Sequence, residues 1–92
     1  SMKIVFSRHA EEKFGVLEHH GCKTERTTVE EAVRNPSVLD HSRTPLIIAQ
    51  IPLDETHVLR VVYKQRGDEL FIITFYPGRI NQYGNPKKSP SI

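Results

Sequence analysis

The sequence predicts an α+β domain in the order β-α-α-β-β-β, an antiparallel sheet with two N-terminal helices packed on one face. Three observations lead there. Two stretches in the first third repeat apolar residues at helical spacing and carry cap signals. The following segments are β-branched and alternate around a glycine turn. One short apolar segment precedes both helices.

Lys3 to Phe6 reads as the first strand. Ser7 follows as a helix N-cap, because its hydroxyl accepts from an orphan amide of the first turn. Glu11 and Glu12 suit the positive end of the helix dipole, and Ala10, Phe14 and Leu17 share one face. Gly21 reads as the stop, so the first helix covers Arg8 to His20. Thr27 with Glu30, and Thr28 with Glu31, both have capping-box spacing, and Thr24 is a third candidate cap. Val29, Ala32 and Val33 make the buried stripe of this second helix, and Asn35-Pro36 ends it. Ser37 to Pro45 reads as a loop, with room for a short strand at Val38-Leu39.

Leu46 to Ile51 is the next strand. Asp54-Glu55-Thr56 is a turn, and His57 to Lys64 alternates Leu59, Val61 and Tyr63 against Val58, Arg60, Val62 and Lys64. Arg66-Gly67-Asp68 turns the chain, with Gly67 suited to positive φ. Glu69 to Tyr76 is the last strand, with Phe71, Ile73 and Phe75 alternating against Leu70, Ile72, Thr74 and Tyr76. An odd hairpin loop sets Arg60 and Lys64 beside Thr74 and Tyr76, and an even loop sets them beside Ile73 and Phe75. The odd register segregates polar from apolar side chains better and is the expected one. Residues 2–83 then form one domain, residues 84–92 read as a flexible tail, and the sheet face without helices is open, or partly open, to a ligand.

Composition narrows the function classes. An apolar fraction of 37% and a charged fraction of 26% are globular, not disordered. Apolar runs reach only Leu46-Ile47-Ile48-Ala49 and Leu70-Phe71-Ile72-Ile73, far short of the roughly 20 residues of a membrane span. No secretory leader is visible, so a cytoplasmic location is expected. Cys22 is the single cysteine, so neither an internal disulfide nor a thiolate zinc site is available. A core this small is compatible with a homo-oligomer. Net charge is +2, but residues 1–56 hold seven Lys/Arg against nine Asp/Glu, and residues 57–92 hold six against two. The C-terminal third is the anion-facing part.

Nucleotide-binding glycine loops, calcium loops and serine-hydrolase elbows are absent from the sequence. What remains is a set of cations and phenols: Arg60, Lys64, Arg66, Tyr76, Arg79 and Tyr83, with His9 and His57. RNA cleavage by the 2′-hydroxyl needs a base, a cation for the phosphorane charge and an acid for the leaving oxygen. Arginine suits the second role because its planar fork holds two phosphate oxygens. Lys, His or Tyr fit the others, and no metal or cofactor is required. His9 sits in the first turn of a helix, where the positive dipole end opposes protonation and favours an accepting imidazole. Structural roles compete: Arg60 as a solvent-face residue with an acidic partner, Tyr63 as core, His57 as surface, Arg66 as a turn residue, and His9 as a backbone-bonded lock.

Phe6-Ser7-Arg8-His9-Ala10-x-x-Lys13-Phe14, Val29-Glu30-Glu31-Ala32-Val33-x-Asn35-Pro36, Leu59-Arg60-Val61-Val62-Tyr63 and Ile72-Ile73-Thr74-Phe75-Tyr76-Pro77 together resemble a family of small bacterial proteins. Its members carry an HA-x-x-[RK] start and an RVVY…TxYP end, and the family is similar to a distant branch of the RelE/ParE toxin superfamily. The resemblance implies a metal-independent endoribonuclease that cuts mRNA, on the ribosome in many cases, and is blocked by a protein antitoxin. It assigns catalysis to Arg60, Arg79 and Tyr83. Leu46 to Ile51 lacks the lysines that such toxins use for acid–base work, which leaves His9 or Lys64 for proton transfer. Lys64, Arg66 and Tyr76 are then the nucleic-acid-binding residues. The same resemblance allows two alternatives, a non-catalytic protein- or nucleic-acid-binding module and a ParE-like gyrase inhibitor.

Overall fold

A computed structural model describes residues 2–21 and 24–80 of the 92-residue chain. Tyr83, Cys22 and the expected tail at 84–92 lie outside the described residues. The elements run β1 (Lys3–Phe6), α1 (Arg8–His19), α2 (Arg26–Arg34), β2 (Val38–Asp40), β3 (Ile47–Pro52), β4 (His57–Arg66) and β5 (Glu69–Arg79). The α+β class follows the sequence, and β2 adds a fifth strand to the expected β-α-α-β-β-β order. No helix among the described residues is long and apolar enough to cross a membrane.

The sheet departs from expectation in two ways. It has five strands in the order β1-β5-β4-β3-β2, the short segment at Val38–Asp40 being a full edge strand. It is also mixed rather than wholly antiparallel, because β1 pairs parallel with β5. The cause is apolar matching: Ile4 lies opposite Leu70 and Phe6 opposite Ile72, so β1 completes the buried face. The two helices lie in the long crossover that parallel neighbours require.

Ser7 begins α1 as predicted, accepting from the Ala10 amide at 3.0 Å. Its hydroxyl also donates to the Ile73 carbonyl of β5 at 2.8 Å. Gly21, at φ +86°, closes the helix in the left-handed region. α2 starts earlier than either capping box. Glu25 is its N-cap, without a side-chain cap bond. The start is fixed instead by Arg26, whose guanidinium lies over the Phe6 and Phe14 rings and bonds the Glu11 carboxylate.

Both helices bury their stripes on one face of the sheet. Ala10, Val29, Ala32 and Val33 meet Ala49, Leu59, Val61, Tyr63, Ile72 and Phe75 in a single core. Tyr63 is core, as expected, and burial pushes its phenol pKa up.

The β4–β5 hairpin settles the register in neither of the two expected ways. Its turn is even: Arg66 faces Glu69 across Gly67 and Asp68, with Gly67 at φ +59°. Lys64 therefore faces Phe71, not Thr74 or Tyr76. Between Val62–Thr74 and Tyr63–Ile72 the register shifts by one, and Ile73 is left without a partner on β4. This bulge returns Arg60 to Tyr76 and splits the alternation on β5, so that Ile72 and Phe75 share the core face. β5 also runs past Tyr76 to Arg79. Pro77 is tolerated because β1 pairs only with Glu69 to Ile72, so β5 is an edge beyond that point.

Replacing Ser7 by alanine removes a helix cap and the side-chain bond to the bulge carbonyl. Urea denaturation of Ser7→Ala is expected to show a loss of about 1–2 kcal/mol. A midpoint equal to wild type would mean that the hydroxyl carries neither bond in solution.

Candidate functional site

The face away from the helices holds the even-numbered side chains of β4 and their partners. Arg60 is at its centre, and each guanidinium nitrogen has an acceptor there. Nε donates to the Tyr76 hydroxyl at 3.2 Å, one terminal nitrogen to Gln50 Oε1 at 2.6 Å, and the other to Asp40 Oδ2 at 3.3 Å. Three strands supply these partners: Gln50 is the register partner of Arg60 on β3, Tyr76 on β5, and Asp40 comes from β2. The Ser42 hydroxyl and amide, together with Arg60, hold the Asp40 carboxyl below its ordinary range.

This centre is not the open surface expected. Gln50 is 1% and Arg60 8% exposed. The acidic partner anticipated for Arg60 is present, but the residue is buried rather than on the solvent face. The physical reason is desolvation: a guanidinium taken out of water needs a carboxylate and further acceptors, and Asp40, Gln50 and Tyr76 provide them. The Thr74 hydroxyl is buried on the same face with no hydrogen-bond partner among the described residues.

The turn end of the hairpin carries the exposed Arg66 and the half-buried Lys64. The Arg66 guanidinium lies 3.9 Å and the Lys64 ammonium 5.9 Å from the Phe71 ring centroid. Glu69 pairs with Arg66 at 3.3 Å. Of the expected nucleic-acid-binding residues, Lys64 and Arg66 thus form one group on Phe71, and Tyr76 belongs to the Arg60 network.

The far end of the hairpin holds Arg79, exposed and directly opposite His57 in register. His57 and Arg79 alternate with Val58 and Gly78, so they leave the sheet on the other side from Arg60. His9 is exposed in the first turn of α1, in the helical layer, also across the sheet from Arg60. Tyr83 is outside the described residues. The structure therefore joins Arg60 with Tyr76 and keeps Arg79 and His9 apart from them.

Sequence reasoning missed a constellation at the β3–β4 turn. Asp54 Oδ1 accepts from the amides of Thr56 and His57, each at 2.8 Å, and from the Thr56 hydroxyl at 3.1 Å. It also lies 3.1 Å from His57 Nδ1, which is 2.8 Å from Thr56 Oγ1. The Thr56 amide, the His57 ring and these further bonds lower the Asp54 pKa from 3.8 to about 2. The signal in the sequence was an aspartate three residues before a histidine across a turn. Among the described residues no group of three or more His, Cys, Asp or Glu is placed to hold a metal ion.

The chain matches no family model, no curated protein and no solved structure.

A depressed carboxylate contributes stability that is present above its unfolded pKa and is lost as pH falls through the folded value. For Asp54 that window runs from 3.8 down to about 2. Acid titration of wild type and Asp54→Asn, followed by thermal melting, is expected to show the stability gap between them closing across this window. A gap that stays constant would contradict the bonds drawn to Asp54.

Proposed function

We propose that this protein is a toxin-like, metal-independent endoribonuclease that grips single-stranded RNA along the β4–β5 hairpin. The observation that carries the reading is the placement of cations at both ends of one hairpin. Lys64 and Arg66 gather on Phe71 at the turn, on the face away from the helices, and Arg79 stands beside His57 at the exit, on the helical face, so a strand held at both ends passes from one face to the other. Cations next to an aromatic ring suit an unpaired, flexible strand, which offers phosphates and base faces together. Arg60 then acts from inside, fixing Tyr76 and tying β2, β3 and β5 to the strand between the two cationic ends. The resemblance described above supports the toxin reading, with an antitoxin protein covering the same surface in the resting cell and mRNA, free or on the ribosome, as the substrate.

One observation favours a second reading, a non-catalytic RNA-binding module. The Arg60 guanidinium is engaged by Asp40, Gln50 and Tyr76 within the fold, where a phosphorane-holding arginine would be directed at a ligand.

Purified protein mixed with a labelled single-stranded RNA in the presence of a chelator separates these readings. The endoribonuclease reading predicts cleavage to products with free 5′-hydroxyl ends, and growth arrest when the protein is expressed. Binding without cleavage moves the assignment to the module. Failure to bind RNA removes both. Replacing Lys64 and Arg66 together by alanine is expected to weaken binding and to flatten its salt dependence by about 1.4 in log–log slope, two phosphate contacts at about 0.7 each.

A further inference from the structure

We propose that His57 is the proton-transfer residue of this RNA cleavage, oriented by Asp54, with Arg79 as the cation that holds the scissile phosphate. The inference rests on the endoribonuclease reading above and assigns the base that the sequence left to His9 or Lys64.

The orientation of the imidazole is determined at Nδ1. That nitrogen lies 3.1 Å from the Asp54 carboxylate and 2.8 Å from the Thr56 hydroxyl. An ionised carboxylate only accepts, so it keeps the proton of a neutral imidazole on Nδ1 and the lone pair on Nε2. Nε2 has no hydrogen-bond partner among the described residues, and the His57 side chain is 41% exposed. Asp54 is in turn tied to two backbone amides, which keep it in place and ionised. A base held by a carboxylate at one ring nitrogen and free at the other is the arrangement that general-base catalysis uses.

Arg79 completes the pair of roles. As the cross-strand partner of His57, it starts from a Cβ about 4.5–5.5 Å away on the same face. The Ile80 amide bonds the Thr56 carbonyl at 3.0 Å, which fastens the end of β5 to the turn that carries the imidazole. Among the described residues of this turn and the end of β5, the charged groups besides His57 are Asp54, Glu55 and Arg79. A phosphate gripped by Arg79 lies within a side chain's reach of Nε2.

The step balances without a co-reactant other than water. Nε2 takes the 2′-hydroxyl proton as the 2′-oxygen bonds to phosphorus, and the bond from phosphorus to the 5′-oxygen breaks. The 5′-oxygen takes a proton from water, and the imidazolium returns its proton to the hydroxide. The products are a 2′,3′-cyclic phosphate and a 5′-hydroxyl end.

The test uses the full chain, a labelled single-stranded oligoribonucleotide and its all-2′-deoxy counterpart. His57→Gln and His57→Ala are expected to lower kcat by about 10²–10⁴-fold. Affinity for the uncleavable deoxy strand should be unchanged, and added imidazole should restore part of the cleavage by His57→Ala. Asp54→Asn should lower kcat with KM retained, as befits a positioning residue. Cleavage by wild type together with wild-type kcat in His57→Gln overturns the assignment and leaves the endoribonuclease reading standing. Absence of cleavage by wild type overturns both.

Discussion

The Ser7 hydroxyl is the point on which the rest of the structure depends. It accepts from the first turn of α1 and donates to the carbonyl of Ile73, the residue of β5 that has no partner on β4. A bulge leaves backbone groups outside the ladder, and buried ones need another partner. Here the start of a helix provides it. The same side chain therefore orders α1 and holds the extra residue that sets the second half of the hairpin register.

Arg60 and His57 both lie beyond that bulge, and it sets what each of them faces. With the shift, Arg60 faces Tyr76 and His57 faces Arg79. Extending the register of the turn without the bulge would set Arg60 against Phe75 and His57 against Gly78. The first change would put a guanidinium beside a core ring, and the second would separate the imidazole from its neighbouring cation. The buried Arg60 network and the exposed His57 end are thus two consequences of one local irregularity, on opposite sides of one strand pair. Arg60 joins four strands' worth of polar groups into a rigid plate, and His57 sits where the plate ends and side chains reach solvent.

Much of this was legible in the sequence. Ser7 as a cap, the Val29, Ala32 and Val33 stripe, Tyr63 as core and Gly67 in a positive-φ turn each follow from a local rule, and local rules need no knowledge of the tertiary partner. The losses are non-local. A bulge depends on what is available to bond the orphan carbonyl, and Ser7 is 66 residues away. The start of α2 at Arg26 reflects the rings of Phe6 and Phe14, which compete with capping chemistry at Thr27 and Thr28. The parallel pairing of β1 reflects matching with Leu70 and Ile72. For the site, Arg60 was visible as a mid-strand cation, but its partners Gln50 and Asp40 come from two other strands. Gln50 inside the apolar run Ile47–Ile51 was the available hint. Asp54 and His57 read as turn and surface because spacing alone does not show that one carboxylate oxygen collects both amides and the ring.

The central claim is that the β4–β5 register shifts at Ile73. Backbone nuclear Overhauser contacts across the hairpin test it directly. The account predicts Tyr63–Ile72 contacts on the turn side of the bulge and Arg60–Tyr76 with His57–Arg79 contacts beyond it. An unbroken ladder with Arg60 against Phe75 and His57 against Gly78 would contradict it.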